Sequence, residues 1–89
     1  MKLFTICDTA ADHYANPTAS PSIPAFTRDV AMALKNPPQN PSAFHENPKD
    51  FKLYCIGDYD TSTGVITPID PPQYLGNAEE FASPVASAA

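Results

Sequence analysis

The sequence predicts an α+β domain in which a small antiparallel sheet of about three strands packs against one main helix, with a short helix near the C-terminus. Runs rich in aromatic and β-branched residues at 3–8, 51–59 and 65–69 predict the strands. Between the first two runs, apolar residues recur at helical spacing over 24–35. This spacing predicts a helix that buries one stripe on one face of the sheet.

The first strand leaves apolar groups on both faces of the sheet. Leu3 and Cys7 fall on one side of it. Phe4 and Ile6 fall on the other side, so both faces need cover. The stretch 9–22 that follows has no apolar periodicity and contains Asn-Pro and Ser-Pro steps, which predict a loop.

The main helix has clear start and stop signals. Ser22 is a candidate N-cap, and Pro24 is tolerated in the first turn because its missing N–H has no helical partner there. The run Asn36-Pro37-Pro38 ends the helix. Prolines recur from residue 37 to 48, so we expect an ordered linker without regular structure, anchored by Phe44.

The most informative stretch is the hairpin that runs from residue 51 to 69. Its turn residues cluster at 60–64, and we expect Gly64 to adopt a positive φ that sets the register of the two strands. Alternation along the first strand of the hairpin predicts two faces. One face takes Phe51, Leu53, Cys55 and Tyr59, and the other takes Lys52, Tyr54, Ile56 and Asp58.

The short C-terminal helix is predicted from its first residues. Asn77 is the candidate N-cap, and Glu80, three residues later, completes a capping box. Small residues follow, so we expect a flexible tail at 83–89 and a single folded domain over 1–82.

Length and charge limit the class of function. A chain of 89 residues forms one small domain, and its formal charge of -5 argues against strong nonspecific attraction to nucleic acid. Lys49 and Lys52 are the two cations that lie close together in the sequence. Neither a signal peptide nor a membrane-spanning run is evident, so we expect a soluble, cytosolic protein.

The hairpin turn superficially resembles the start of a calcium loop. Asp58, Asp60 and Ser62 occupy alternate positions, as oxygen ligands do in such loops. The sixth position is Thr63 where the loop needs Gly, and the twelfth is Ile69 where it needs Glu. We favour hydrogen bonds between turn side chains and nearby backbone N–H groups over a cation site.

Cysteine and histidine offer the other conceivable chemistry. Cys7 and Cys55 both fall in predicted strands, where we expect buried, reduced thiols. His13 and His45 lie in predicted loops without ligand or nucleophile spacing. We therefore expect no metal, no cofactor and no catalytic residue.

The aromatic residues support two interpretations. Tyr14, Phe51, Tyr54 and Tyr59 are candidates for a platform on which the bases of single-stranded nucleic acid stack. Packing in the core or in an interface is the alternative, and the acidic neighbours favour it.

A second apolar sheet face is a candidate interface. We predict that it is formed by Phe4, Ile6, Tyr54 and Ile56. One helix can hardly cover both faces of the sheet, so we expect this face to mediate self-association, with cover by the proline-rich loops as the alternative.

Several segments of the chain resemble a known family. They are residues 1–6 (MKLFTI) with Asp8, residues 48–54 (PKDFKLY), residues 56–60 (IGDYD) with Thr63-Gly64, and residues 75–78 (LGNA). The resemblance is to the small nonstructural protein of gokushoviruses, which are single-stranded-DNA phages of the Microviridae. It covers the chain apart from its tail.

The resemblance implies a noncatalytic accessory protein that is absent from the mature shell. It would act in the host bacterial cytoplasm in synthesis or packaging of the single-stranded DNA genome, by weak DNA binding or by association with phage or host replication or packaging proteins. We expect a homo-oligomer and no membrane partner. The candidate DNA-binding residues are Lys49, Lys52, Tyr54 and Tyr59. The alternative is a module that binds a host or phage protein through the exposed apolar sheet face.

Overall fold

Residues 1–82 fold as an α+β domain with one antiparallel sheet, as predicted, but the sheet has five strands and not about three. The computed structural model describes residues 1–82, and the predicted flexible tail at 83–89 lies outside the described residues. The strands are β1 (Lys2–Asp8), β2 (His13–Tyr14), β3 (Thr18–Ser20), β4 (Phe51–Tyr59) and β5 (Ile66–Asn77). The helices are α1 (Ile23–Lys35), α2 (Ala43–Glu46) and α3 (Ala78–Ala82), with one 3-10 turn at Pro48–Asp50.

The sheet is centred on β1 and β4. Its order is β2-β1-β4-β5, and β3 also pairs with β1, on the edge that β2 occupies further along. Every pairing is antiparallel. The two long inner strands thus carry the side chains that divide the molecule into two faces.

The hydrophobic core lies between the sheet and α1. Phe4 of β1 is fully buried, and its ring stacks on that of Phe26 of α1 with centroids 4.2 Å apart. Leu53 and Cys55 of β4 are buried beside it, and Ala78 of α3 closes one end. We call this side the helix face.

The predicted helix is confirmed, and the Ser22 hydroxyl caps it by accepting a hydrogen bond from the Ala25 N–H at 3.2 Å.

The segment 9–22 was predicted to be a loop, and this is wrong in part. Two short strands, β2 and β3, fold back onto the edge of β1. Ala15, between them, donates its N–H to the Ile6 carbonyl at 2.8 Å and accepts the Thr5 hydroxyl proton at 2.8 Å. Strands of two or three residues are too short to show an apolar alternation in the sequence. Their pairing depends on the free edge of β1 and not on their own apolar content.

The second strand of the hairpin is longer than predicted. Pro68 indicated an edge strand or a strand end, and the strand was expected to stop at Ile69, but β5 continues to Asn77. Proline is tolerated because β5 is an edge strand, whose outward N–H groups have no partner strand. The pairing with β4 is interrupted opposite Ile56, where the register shifts between Cys55 and Gly57.

The turn and the C-terminal cap agree with the predictions. Gly64 has a φ of +77°, and its N–H bonds to the Asp60 carbonyl at 2.7 Å. In α3, the Asn77 side-chain oxygen accepts the Glu79 N–H at 2.8 Å, while the Glu80 carboxylate accepts the Asn77 N–H at 3.0 Å. These reciprocal bonds are the predicted capping box.

The proline-rich linker at 37–48 contains one short helix, α2, where no regular structure was predicted. Phe44 of α2 packs edge-on against Phe51, with ring centroids 5.2 Å apart. Phe44 therefore anchors the linker to the core, as its position in the sequence suggested.

Candidate functional site

The face of the sheet opposite the helix face carries a row of three tyrosines. Tyr14 comes from β2, Tyr54 from β4 and Tyr74 from β5. The ring centroids of Tyr14 and Tyr54 are 6.1 Å apart, and those of Tyr54 and Tyr74 are 5.6 Å apart. The rings are tilted by 57° and 55° to their neighbours. We call this surface, formed by Tyr14, Lys52, Tyr54 and Tyr74, the tyrosine face.

The pleat of the sheet explains why these rings meet. Tyr54 lies between Leu53 and Cys55, which point into the core, so its side chain projects to the opposite side. Directly paired residues project to the same side, and Tyr54 is paired with both Thr5 and Tyr74. The register of β1 and β4 with their neighbours therefore assembles the row.

The row is exposed to solvent. Tyr14 is 54% exposed and Tyr74 is 53% exposed, which is far more than a core ring retains. Tyr54, between them, is partly buried. Large aromatic rings on the surface at adjacent strand positions form a contiguous patch, and such patches mark binding surfaces more often than isolated exposed rings do.

Lys52 places a positive charge at the Tyr74 end of the row. Its ammonium nitrogen lies 5.9 Å from the centroid of the Tyr74 ring, at the limit of a cation–π contact. At the other end of β4, by contrast, the Lys2 ammonium bonds to the Asp58 carboxylate at 2.9 Å. The hydrogen bond to Asp58, followed by its charge, raises the pKa of Lys2 above its usual value. Lys52 is thus the lysine that contacts the row.

The environment of Tyr14 affects its acidity. The neighbouring Cys7, through its charge, is the largest cause that raises the pKa of Tyr14 above its usual value, with desolvation and Tyr54 contributing next. Tyr14 therefore remains a neutral phenol with its hydroxyl proton throughout the neutral range.

Two cavities adjoin the tyrosine face and the edge of the sheet. The first has a volume of about 420 Å³ and lies beside the tyrosine row, lined by Thr5, Tyr14, Ala15, Pro17, Ile56 and Pro72. The second has a volume of about 400 Å³ and is lined by Ile6, Asp8, His13, Ala15, Asn16, Phe44 and Phe51. Ala15 contributes to both cavities, so they adjoin across the connection between β2 and β3.

The structure brings together part of the predicted stacking platform. Tyr14, Tyr54 and Lys52 meet on one face, but Phe51 is a core residue that is only 8% exposed. Tyr59 is paired with Ile66, five residues along β4 from Tyr54, so at about 3.3 Å per residue its backbone lies roughly 16 Å away.

One aromatic residue of the row was missed, and one predicted cation lies apart from it. Tyr74 was not predicted because the second hairpin strand was expected to end at Ile69, before it. Lys49 lies in the 3-10 turn before β4, where its carbonyl accepts a hydrogen bond from the Asn77 side chain at 2.6 Å. Tyr74 could have been found only by predicting that the second hairpin strand continues past its prolines.

The predicted apolar interface grouped residues from opposite faces. Phe4 and Ile6 lie on the helix face, where Phe4 is fully buried and Ile6 packs against the core. Tyr54 and Ile56 lie on the other side of the sheet, where Ile56 lines the first cavity. The grouping is wrong because Phe4 is paired with Cys55 and not with Tyr54, and an offset of one residue in a strand reverses the face.

The turn and the cysteines carry structural roles. Asp60 accepts the Ser62 N–H at 2.8 Å, and this hydrogen bond is the main cause that lowers the pKa of Asp60. Cys7 and Cys55 are free and buried. They project to opposite faces of the sheet, since Cys55 shares the face of Phe4 while Cys7 is three residues along β1 from Phe4. This geometry is incompatible with a disulfide between them.

Residues 1–82 contain neither a metal-binding cluster of side chains nor a helix that could span a membrane. Within this range, no group of three or more His, Cys, Asp or Glu side chains is placed to hold a metal ion. None of the helices in the described part of the chain is both long enough and apolar enough to cross a membrane.

Comparison with known proteins identifies one family. The family model described as "Phage ORF5 protein" matches residues 1–81, which is nearly the whole chain. No curated protein and no solved structure matches the chain. The family match confirms the phage part of the resemblance noted in the sequence.

Proposed function

This chain belongs to the Phage ORF5 protein family, and we propose from this premise that it is a nonstructural accessory protein of a gokushovirus-like, single-stranded-DNA phage. Its proposed role is noncatalytic and lies in synthesis or packaging of the genome inside the host bacterium. It acts by weak contact with single-stranded DNA through the tyrosine face. The observation that carries this proposal is the row of adjacent, exposed tyrosine rings with Lys52 at one end.

Stacking on the tyrosine rings supplies most of the proposed affinity. Every base has a π-face, and a stacked base contributes about 1–3 kcal/mol regardless of its identity. The centroid separations of 6.1 and 5.6 Å exceed the base spacing of helical DNA, about 3.4 Å. A DNA strand whose successive bases stack on successive rings must therefore increase the spacing between its bases. Single-stranded DNA can do so because its bases are not held in a duplex.

Charge keeps the proposed affinity low. The chain has a net charge of -5, and Lys52 is the cation in contact with the tyrosine row. Neutralising one phosphate of a single strand changes the slope of log K against log salt by roughly 0.7. We therefore expect a shallow salt dependence, near that of one or two phosphate contacts. A homo-oligomer, or a phage or host replication protein that already holds DNA, would raise the effective affinity by linking several such faces.

A binding titration tests the proposal. Fluorescence anisotropy of a labelled oligo(dT) is measured with the purified chain at low and moderate salt, with light scattering on the same samples to give the mass of the complex. We expect weak binding that falls slightly with salt. The Tyr74→Ala variant should bind more weakly, and Val65→Ala, which trims another exposed side chain, is the matched control. Binding that is absent at low salt, or unchanged in Tyr74→Ala, contradicts the proposal.

A protein partner is the second candidate. The first cavity, about 420 Å³, is lined by apolar groups that include Ile56 and two prolines, and it adjoins the tyrosine rings. Exposed tyrosine beside such a cavity is typical of protein interfaces as well. Ile56→Asp should then dissociate the assembly seen by light scattering while the anisotropy signal survives. If Ile56→Asp instead leaves the mass of the assembly unchanged, this second candidate fails.

A further inference from the structure

The second cavity is the feature that the tyrosine face does not use. It lies at the edge of the sheet, between the β2 segment and α2, with a volume of about 400 Å³. We propose that this cavity holds one nucleobase that carries an exocyclic amino group, such as cytosine, when a DNA strand passes from the tyrosine face over the sheet edge. The inference rests on the proposed function and extends it from stacking to base selection.

Apolar and aromatic groups form the walls of this cavity. Phe44 and Phe51 meet edge-to-face at 86°, and Ile6 lies beside them. The volume falls within the range of small-molecule sites, about 300–1,000 Å³. Aromatic and apolar walls that include a few polar groups suit a planar ring whose edge carries hydrogen-bonding groups.

Polar groups on the lining determine which base edge fits. Asp8 lines the cavity, and its Oδ1 atom accepts the N–H groups of Ala10 and Ala11, each at 3.1 Å. These two bonds hold the carboxylate in place, and a carboxylate has further acceptor positions. Carboxylates accept hydrogen bonds from the cytosine N4 amino group. Thymine presents a carbonyl oxygen at the same position, which a carboxylate repels.

A single residue with a fixed backbone separates the tyrosine face from the second cavity. Ala15 lines both cavities. Its backbone is tied to β1 on both sides, through its N–H to Ile6 and through its carbonyl to Thr5. Tyr14 and His13 are adjacent residues of β2, and each lines a different one of the two cavities. A strand that stacks on Tyr14 therefore needs to cross only the Ala15 connection to deliver its next base to the second cavity.

Free nucleosides test this site without the phosphate backbone. Deoxycytidine and thymidine are titrated separately into the ¹⁵N-labelled full chain, and backbone amide shifts are followed by NMR. We expect deoxycytidine to shift the amides of His13 and Asn16, and to bind about fivefold more tightly than thymidine, as one base-edge contact allows. Equal binding of the two nucleosides, or shifts confined to Tyr54 and Tyr74, overturns the inference.

The Asp8→Asn variant sharpens the test. Asparagine keeps one oxygen for the N–H groups of Ala10 and Ala11 but replaces the other acceptor by an N–H donor. We expect the preference to reverse in favour of thymidine. An unchanged preference for deoxycytidine overturns the assignment to Asp8. If this variant does not fold, Asn16→Leu, which replaces an exposed polar side chain of the cavity lining by an apolar one, should weaken binding of deoxycytidine, and unchanged binding overturns the inference.

Failure of this inference and failure of the proposed function are distinguishable. Tyr54→Ala should weaken binding of oligo(dT) and leave deoxycytidine binding unchanged, because the two sites lie on opposite sides of the sheet edge. Oligonucleotide binding without nucleoside binding sinks only the cavity site. Nucleoside binding without oligonucleotide binding supports the cavity site and sinks the proposed role of the tyrosine face.

Discussion

The two faces of the sheet are built from the same strands but differ in how far their aromatic side chains are buried. On the helix face, Phe4 and Leu53 are completely buried and stack or pack against α1. On the tyrosine face, Tyr14 and Tyr74 keep more than half of their surface in water. In a small domain with one long helix, the chain covers the helix face more completely than the tyrosine face, where Thr5 and Cys7 are buried but the tyrosine rings are not. The exposed aromatic surface on the other face is therefore the place to look for a ligand.

Truncation on the helix face should give the largest effect. Phe4→Ala removes a fully buried ring that stacks on Phe26, and we expect the free energy of unfolding to fall by about 3–5 kcal/mol. That is a large share of the roughly 5–15 kcal/mol typical of a domain. Urea denaturation followed by circular dichroism measures it. Tyr74→Ala, the control on the other face, should change stability by only about 0.5 kcal/mol. Equal losses would abolish the distinction between the faces.

Truncation on the tyrosine face should change binding and spare stability. Tyr54→Ala removes the central ring, so the affinity for oligo(dT) should fall about 5- to 150-fold, the equivalent of one stacked base. Tyr59→Ala is the matched control because Tyr59 lies further along the same strand. Anisotropy titrations of both variants measure the difference. A larger loss in Tyr59→Ala would show that the ligand binds the hairpin end.

Charge reversal should give a smaller effect on the same scale. Lys52→Glu and Lys35→Glu change the net charge equally, but only Lys52 contacts the tyrosine row. We expect Lys52→Glu to lower affinity about fivefold and to flatten the salt dependence by roughly 0.7 in slope. Lys35→Glu, at the end of α1, should have only a weak effect, because salt screens its long-range electrostatic repulsion of the strand. Similar losses in both variants would mean that net charge, and not this surface, controls binding.

The smallest predicted effect concerns pH. The pKa of Tyr14 is raised, so its phenol ionises in the unfolded chain at lower pH than in the folded one. The corresponding stability is present below the usual tyrosine pKa of 10.0 and is lost as pH rises through the higher folded value. Ultraviolet titration of the phenolate should show a late step that Tyr14→Phe removes. Persistence of that step in Tyr14→Phe would assign it to another tyrosine.

Local signals predicted the elements whose residues interact with near neighbours. The start of α1 at Ser22, the turn at Gly64 and the capping box at Asn77 each follow from side chains within a few residues. The physical reason is that caps and turns satisfy backbone groups locally. The alternation along β4 likewise predicted that Leu53 and Tyr54 lie on opposite faces.

Long-range pairing decided what the local signals left open. β2 and β3 exist because β1 offers a free edge, and β5 continues through its prolines because it is an edge strand. The same pairing adds Tyr74 to the row. It also places Phe4 and Tyr54 on opposite faces, although they were predicted to share one.

The sequence by itself determined the α+β class, the main helix, the hairpin and the family to which the chain belongs. These depend on local propensities, on apolar periodicity and on residue identities, all of which can be read along the chain. The tertiary structure decided which aromatic residues share a surface and where the two cavities lie. Those depend on strand register, where a shift of one residue exchanges the faces, and register is set by contacts between residues far apart in the chain.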